Sequence, residues 1–241
     1  MQPLGEHIWH VPGRSLRMPG SVWMPSAATV IRLADRSLAV YSPADFDDET
    51  LAAIDRLGEV AHLIVPSRLH HLFAAAAIRR WPGARVHAAA SVRDKQPALR
   101  IDRELGDPGA LDPAFAGAIE VARVSGAPSI DEHVVFHRAS GTLVCADLVF
   151  HIARPANLRT RMVLAMMGVG GGRLAQSRVW RLARRDRAAA RASLTRILAW
   201  PIAQIAPCHG EPCAIDAAGL AARATRLAGS TPVPALAAGL A

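Results

Sequence analysis

The segment from His62 to Ala89 constrains the fold most. His62 to Val65 is a short apolar run closed by Pro66. Leu69 to Trp81 is alanine-rich and helical in pattern until Pro82 and Gly83 end it, and Arg85 to Ala89 reads as a second strand. Strand, helix and strand in this order form a βαβ element, whose ligands gather at the carboxyl ends of the strands. His70 and His71 lie at that end of the first strand.

The flanking sequence continues the pattern. His7 to Val11, Ser21 to Leu33 and Leu38 to Tyr41 carry β-branched and aromatic residues between Gly, Pro and Asp, as consecutive antiparallel strands do. Asp47 or Asp48 can cap a helix containing Leu51, Ile54 and Leu57, which Gly58 stops. Beyond a polar stretch from Asp94 to Pro113, strands are expected at Ile119–Val124, Glu132–Arg138 and Thr142–Phe150, with Ser140-Gly141 as a hairpin turn. A helix follows at Ala188–Trp200 and a short strand at Ile202–Pro207. A closing helix is read at Ala214–Leu227, and residues 229–241 as a flexible tail.

With 241 residues, 51% of them hydrophobic and 20% charged, the chain suits one domain, read as residues 1–228. The N-terminal residues show no basic stretch leading into an apolar run, and the longest apolar stretches fall short of a membrane span. Cys145, Cys208 and Cys213 suggest neither a disulfide framework nor a Cys-x-x-Cys pair. Together these features describe a cytoplasmic protein without membrane partners.

The net charge of +8 is a property of one segment. Arg154 to Arg191 holds ten arginines against the single acid Asp186, whereas the rest of the chain has 18 basic and 19 acidic residues. The arginines are mixed with Met162, Met166, Met167 and a glycine cluster at 168–172, which suits a substrate-shaping insertion or lid over an anionic small molecule. Interleaved aromatics are lacking, which disfavours nucleic acid, and a basic solvated helix face is the plainer reading.

Three features share one placement: the His70-His71 pair after a strand, Asp147 at the end of another, and His209-Gly210 after a third. Imidazole and carboxylate suit zinc or non-haem iron, and three or four such ligands leave room for water. Singly, each is as compatible with a hydrogen-bonded structural residue. Their common strand-end position makes them a candidate metal set.

The run Leu63-Ile-Val-Pro-Ser-Arg-Leu-His-His71 resembles the strand and metal loop of metallo-β-lactamase-fold hydrolases, whose motif is His-x-His-x-Asp-His. Thr142-Leu-Val-Cys-Ala-Asp147 is similar to their strand ending in a bridging aspartate, and Ile205-Ala-Pro-Cys-His209-Gly to their last histidine strand. Tyr41-Ser-Pro43, Pro66-Ser-Arg-Leu-His-His-Leu-Phe73, Glu132-His-Val-Val-Phe-His137 and His209-Gly-Glu more closely resemble an uncharacterised branch of that superfamily, known as a domain of unknown function. The resemblance implies a single-domain, four-layer αββα sandwich.

The motif is incomplete here. Aligning His71 with its last histidine puts Pro66 and Arg68 where the first two histidines belong and His70 where the aspartate belongs. The mid-chain histidine has no clear counterpart. The resemblance therefore implies one divalent metal, zinc first with iron or manganese as alternatives, on His70, His71, Asp147 and His209, with Asp147 also the catalytic candidate. Glu132 or His137 would supply any separate acid-base role.

Three functions fit these residues: a metal-dependent hydrolase acting on an ester, lactone, amide or phosphoester, a degenerate fold kept for binding, or a non-haem iron redox protein.

Overall fold

The computed structural model describes residues 1–106 and 112–221. Its strands are β1 (Gln2–Gly5), β2 (Ile8–Pro12), β3 (Leu16–Met18), β4 (Val22–Met24), β5 (Ala27–Arg32), β6 (Leu38–Tyr41), β7 (Val60–Val65), β8 (Arg85–Ala88), β9 (Arg103–Glu104), β10 (Ile119–Val124), β11 (Glu132–His137), β12 (Thr142–Cys145), β13 (Gln204–Pro207) and β14 (Cys213–Ala214). The α-helices are α1 (Asp48–Leu57), α2 (Ala74–Arg80), α3 (Leu158–Met167), α4 (Arg178–Ala183) and α5 (Arg187–Leu198). One sheet runs β1-β2-β5-β6-β7-β8-β9 and the other β10-β11-β12-β13-β14, while β3 and β4 form a separate ribbon. The strands from β6 to β9 are parallel, as are β12 and β13.

The period-2 rule sorts the strand residues into layers. On β6, Leu38 and Val40 pack outward with Ile54 of α1, whereas Ala39 and Tyr41 face the second sheet. On β12, Val144 faces the first sheet, and Leu143 and Cys145 turn outward to Trp180 of α4 and Leu194 and Ile197 of α5. Both faces of each sheet are covered, so its central strands read as nearly continuous apolar runs. The four layers are helix, sheet, sheet and helix, the αββα order expected from the sequence. No described helix is long and apolar enough to cross a membrane.

Local chemistry sets the boundaries. Asp47 caps α1, its side chain accepting from the Thr50 amide. The expected helix from Leu69 starts only at Ala74, because the Ser67 hydroxyl accepts from the amides of Leu69 and His70 and holds a turn there. The expected strand to Phe150 ends at Cys145, since the amides of Ala146 and Asp147 bond the Glu132 carboxylate instead of a neighbouring strand. Ser21 to Leu33 divides into β4 and β5, β4 pairing with the unforeseen β3. Of the closing helix, residues 217–221 are helical. Ala214 instead pairs in β14, and residues 222–227 with the tail at 229–241 lie outside the described residues.

Candidate metal centre

The carboxyl ends of β7, β12 and β13 meet where the sheets are laced together. The Ala27 amide donates to the Cys208 carbonyl, the His133 amide to the Pro66 carbonyl, and the Arg68 amide to the Ile130 carbonyl. This lacing brings together His70, Asp147 and His209, whose potential ligand atoms all lie within 4.8 Å of one another. His70 Nε2 is 3.3 Å from Asp147 Oδ2, and His209 Nε2 is 3.4 Å from Asp147 Oδ1.

The outer ring nitrogens fix these orientations. His209 Nδ1 donates to the Pro25 carbonyl at 2.7 Å, and the Phe150 ring stacks on the imidazole with centroids 4.9 Å apart. His70 Nδ1 meets the Ser42 hydroxyl at 2.7 Å. Because a carbonyl only accepts, Nδ1 of His209 carries the proton. In the neutral ring Nε2 then turns a lone pair toward a carboxylate oxygen, which has no proton either. Two acceptors facing each other across 3.4 Å need a cation or a proton between them. Asp147 Oδ2 is buried without a hydrogen bond, its 3.3 Å approach to His70 being proximity rather than an aligned bond. The donor set therefore fits a divalent ion.

Electrostatics agree with this arrangement. Burial alone would raise the Asp147 pKa, but His70 and His209 outweigh it and hold the carboxyl well below the usual range. Burial lowers the His209 pKa, but the bond and charge of Asp147 more than reverse that and raise it. Beneath the site, Glu132 Oε1 accepts from the Ala146 and Asp147 amides at 2.8 and 3.1 Å. Burial, reinforced by the Asp147 charge, pushes Glu132 up to about 8.

His71 is not brought into the group. Its Nδ1 instead receives the Gln96 side-chain amide at 3.2 Å. The Ser67 turn gives neighbouring rings different partners, which their adjacency in sequence could not reveal. Glu132 is 0% exposed. His137 bonds Ser140 at the far end of β11 and stands outside the group. Pro25, Ser42 and Phe150 gave no sequence signal as partners, since they act through backbone, hydroxyl and ring contacts that any loop residue can make. Cys145 and Cys208 are buried thiols.

A second group, His62, His87 and Asp112, also has closely spaced ligand atoms. His62 and His87 share one face of parallel β7 and β8, with their nitrogens 3.0 Å apart. Arg85 bonds Asp112 and Arg103 lies 3.8 Å from it, so positive charge already balances the carboxylate. Burial, with His62 and the arginines, pushes His87 down to about 4 despite Asp112, which keeps the ring neutral. It is a compensated polar cluster.

The first group opens into a cavity of about 380 Å³, walled by Leu16, Met24, Ile130, Phe150, Met167 and Trp180 among others, with Arg17 a charged lining residue. The model of the family described as Domain of unknown function (DUF4336) matches residues 16–162. The chain belongs to this family. That match takes in His70 and Asp147 of the DUF4336 chain and ends before His209 and most of the arginine segment.

No curated protein matches significantly. Solved structures supply the fold. A DIM-1 metallo-β-lactamase exposed to ceftazidime is similar at TM-score 0.62 and 17% identity, over 94% of this chain and 93% of that one. A metallo-β-lactamase from Pontibacter korlensis gives 0.62 and 14%, over 94% and 95%. FIM-1 from Pseudomonas aeruginosa, in its mono-zinc form, gives 0.58 and 16%, over 88% of each. The DUF4336 chain thus has the metallo-β-lactamase fold, and its His70, Asp147 and His209 form a group that could hold a metal ion.

Proposed function

We propose that this protein is a metal-dependent hydrolase that holds one ion, zinc first, on His70, Asp147 and His209 and acts on a small ester, lactone, amide or phosphoester. The observation that carries this reading is His209 Nε2, its Nδ1 committed to the Pro25 carbonyl, turned toward a buried carboxylate oxygen 3.4 Å away. A bound divalent cation supplies a water acidified to a pKa of about 7 and polarises a carbonyl or phosphoryl oxygen.

The residues of the chain do the rest. Pro25 and Ser42 hold the two rings, and Glu132 holds the backbone at Asp147. Asp147 Oδ2, buried without a hydrogen bond and 3.3 Å from His70 Nε2, is left to complete the ion's ligands. The apolar walls exclude competing water and seat the body of the substrate, which favours one with an apolar group. Met167, Ser177, Val179 and Trp180 contribute to these walls, which supports a substrate-shaping role for part of residues 154–191. The free, buried thiols of Cys145 and Cys208 accord with a reducing, cytoplasmic setting.

The test is metal analysis of the purified protein with assays on chromogenic esters and lactones. About one zinc per chain and hydrolysis, both lost in His209→Ala, is the expected result. A chain that takes up no zinc, iron or manganese on reconstitution overturns the reading. The three-residue set also has the composition of a two-histidine, one-carboxylate iron site, which favours a second reading as a redox protein. Iron as the native metal with an oxygen-dependent absorbance change would select it.

A further inference from the structure

The arginine segment builds a second cavity, of about 550 Å³, that shares no lining residue with the one at His70, Asp147 and His209. Arg173, Arg178 and Arg181 line it together with Gly168, Gly170 and Gly171. Among the described residues, no carboxylate lies within ion-pair distance of these three guanidinium groups; Arg178 donates to the Met166 carbonyl. Three uncompensated positive charges around one cavity repel one another unless an anion joins them.

An independent observation points the same way. Gln176, only 8% exposed, lines this cavity with neither its amide oxygen nor its amide nitrogen hydrogen-bonded. A buried amide without partners is costly, and ligand sites are where such groups are kept. The turn is also shaped for close approach: Gly168 and Gly171 have φ of 79° and 85°, and a Cβ at Gly171 would meet nothing within 4 Å.

We infer that this cavity binds the phosphoryl group of an organic phosphate, with Arg173, Arg178 and Arg181 holding the phosphoryl oxygens and the Gln176 amide bonding the organic part. Guanidinium forks match phosphate oxygens, and three of them suit a dianion better than a single carboxylate. The volume exceeds what a phosphoryl group alone would fill. The organic phosphate is either soluble or a lipid headgroup. The site lies beyond the residues matched by the family and does not depend on the metal reading.

Calorimetric titration of the full chain with glycerol 3-phosphate, and co-sedimentation with vesicles containing phosphatidic acid or only phosphatidylcholine, test this. Saturable binding of glycerol 3-phosphate, or of phosphatidic acid vesicles alone, is expected, and which of the two binds identifies the source. In the soluble arm 3-hydroxypropanoate should bind at least roughly ten-fold more weakly. Arg173→Gln and Arg178→Gln, at exposed positions where folding is not at risk, should each weaken binding roughly ten-fold. Gln176→Leu should weaken it as well, and His209→Ala should leave it unchanged. Absence of binding in both arms, or binding indifferent to both arginine variants, overturns the inference and leaves the metal reading untouched.

Discussion

At single positions the site is held by residues with no ligand of their own to offer. Gly210 follows His209 with φ of 110°, and a Cβ there would lie 1.9 Å from the His151 carbonyl oxygen. The His151 amide donates to the His209 carbonyl, so this contact sets where the histidine's backbone sits. Gly210→Ala is therefore expected to cost about 3 kcal/mol or more, since strain and a backbone clash combine. Urea unfolding measures that cost, and metal content of the folded fraction should fall with it. A variant of native stability would show that the loop shifts freely.

Between elements, short polar ties position the apolar strands. Asp131, 3% exposed with φ of 52°, precedes β11 and accepts from the Ser91 amide at 3.2 Å, while Arg123 of β10 meets it at 2.7 Å. Burial alone would raise its pKa, but the Ser91 bonds and the Arg123 and His133 charges depress it below the ordinary 3.8. A carboxylate depressed in the folded state adds stability above its unfolded pKa and loses it as pH falls through the folded value. Acid unfolding monitored below pH 3.8 should accordingly be shallower in Asp131→Asn than in the parent, and identical profiles would remove the assignment.

The elements also show what could be read in advance. The βαβ unit, the Asp47 cap and the strands leading to Asp147 and His209 were legible because each rests on a local period or a local hydrogen bond. The start of α2 at Ala74 and the end of β12 at Cys145 were not, since Ser67 and Glu132 divert backbone amides that sequence periodicity assigns to helix and strand.

For the whole molecule, the site bridges the loops of both sheets, so a bound ion would couple them. An ion that binds only the folded chain stabilises it by about 2.7 kcal/mol at a hundred-fold excess over its dissociation constant. Chelator should lower the melting temperature of the parent and leave His209→Ala unmoved. A parent insensitive to chelator would favour a protein-only ion triad and the retained-binding alternative.

By itself the sequence determined the order of strands and helices and the strand-end placement of His70, Asp147 and His209, because those signals are written locally, and its family resemblance implied the αββα layering. Only the tertiary structure decided that His71 turns away to Gln96, that Glu132 is buried beneath Asp147, and that the arginines divide around a second cavity. Those outcomes depend on loops from distant parts of the chain meeting at one end of two sheets, where the direction of each side chain is set by neighbours remote in sequence.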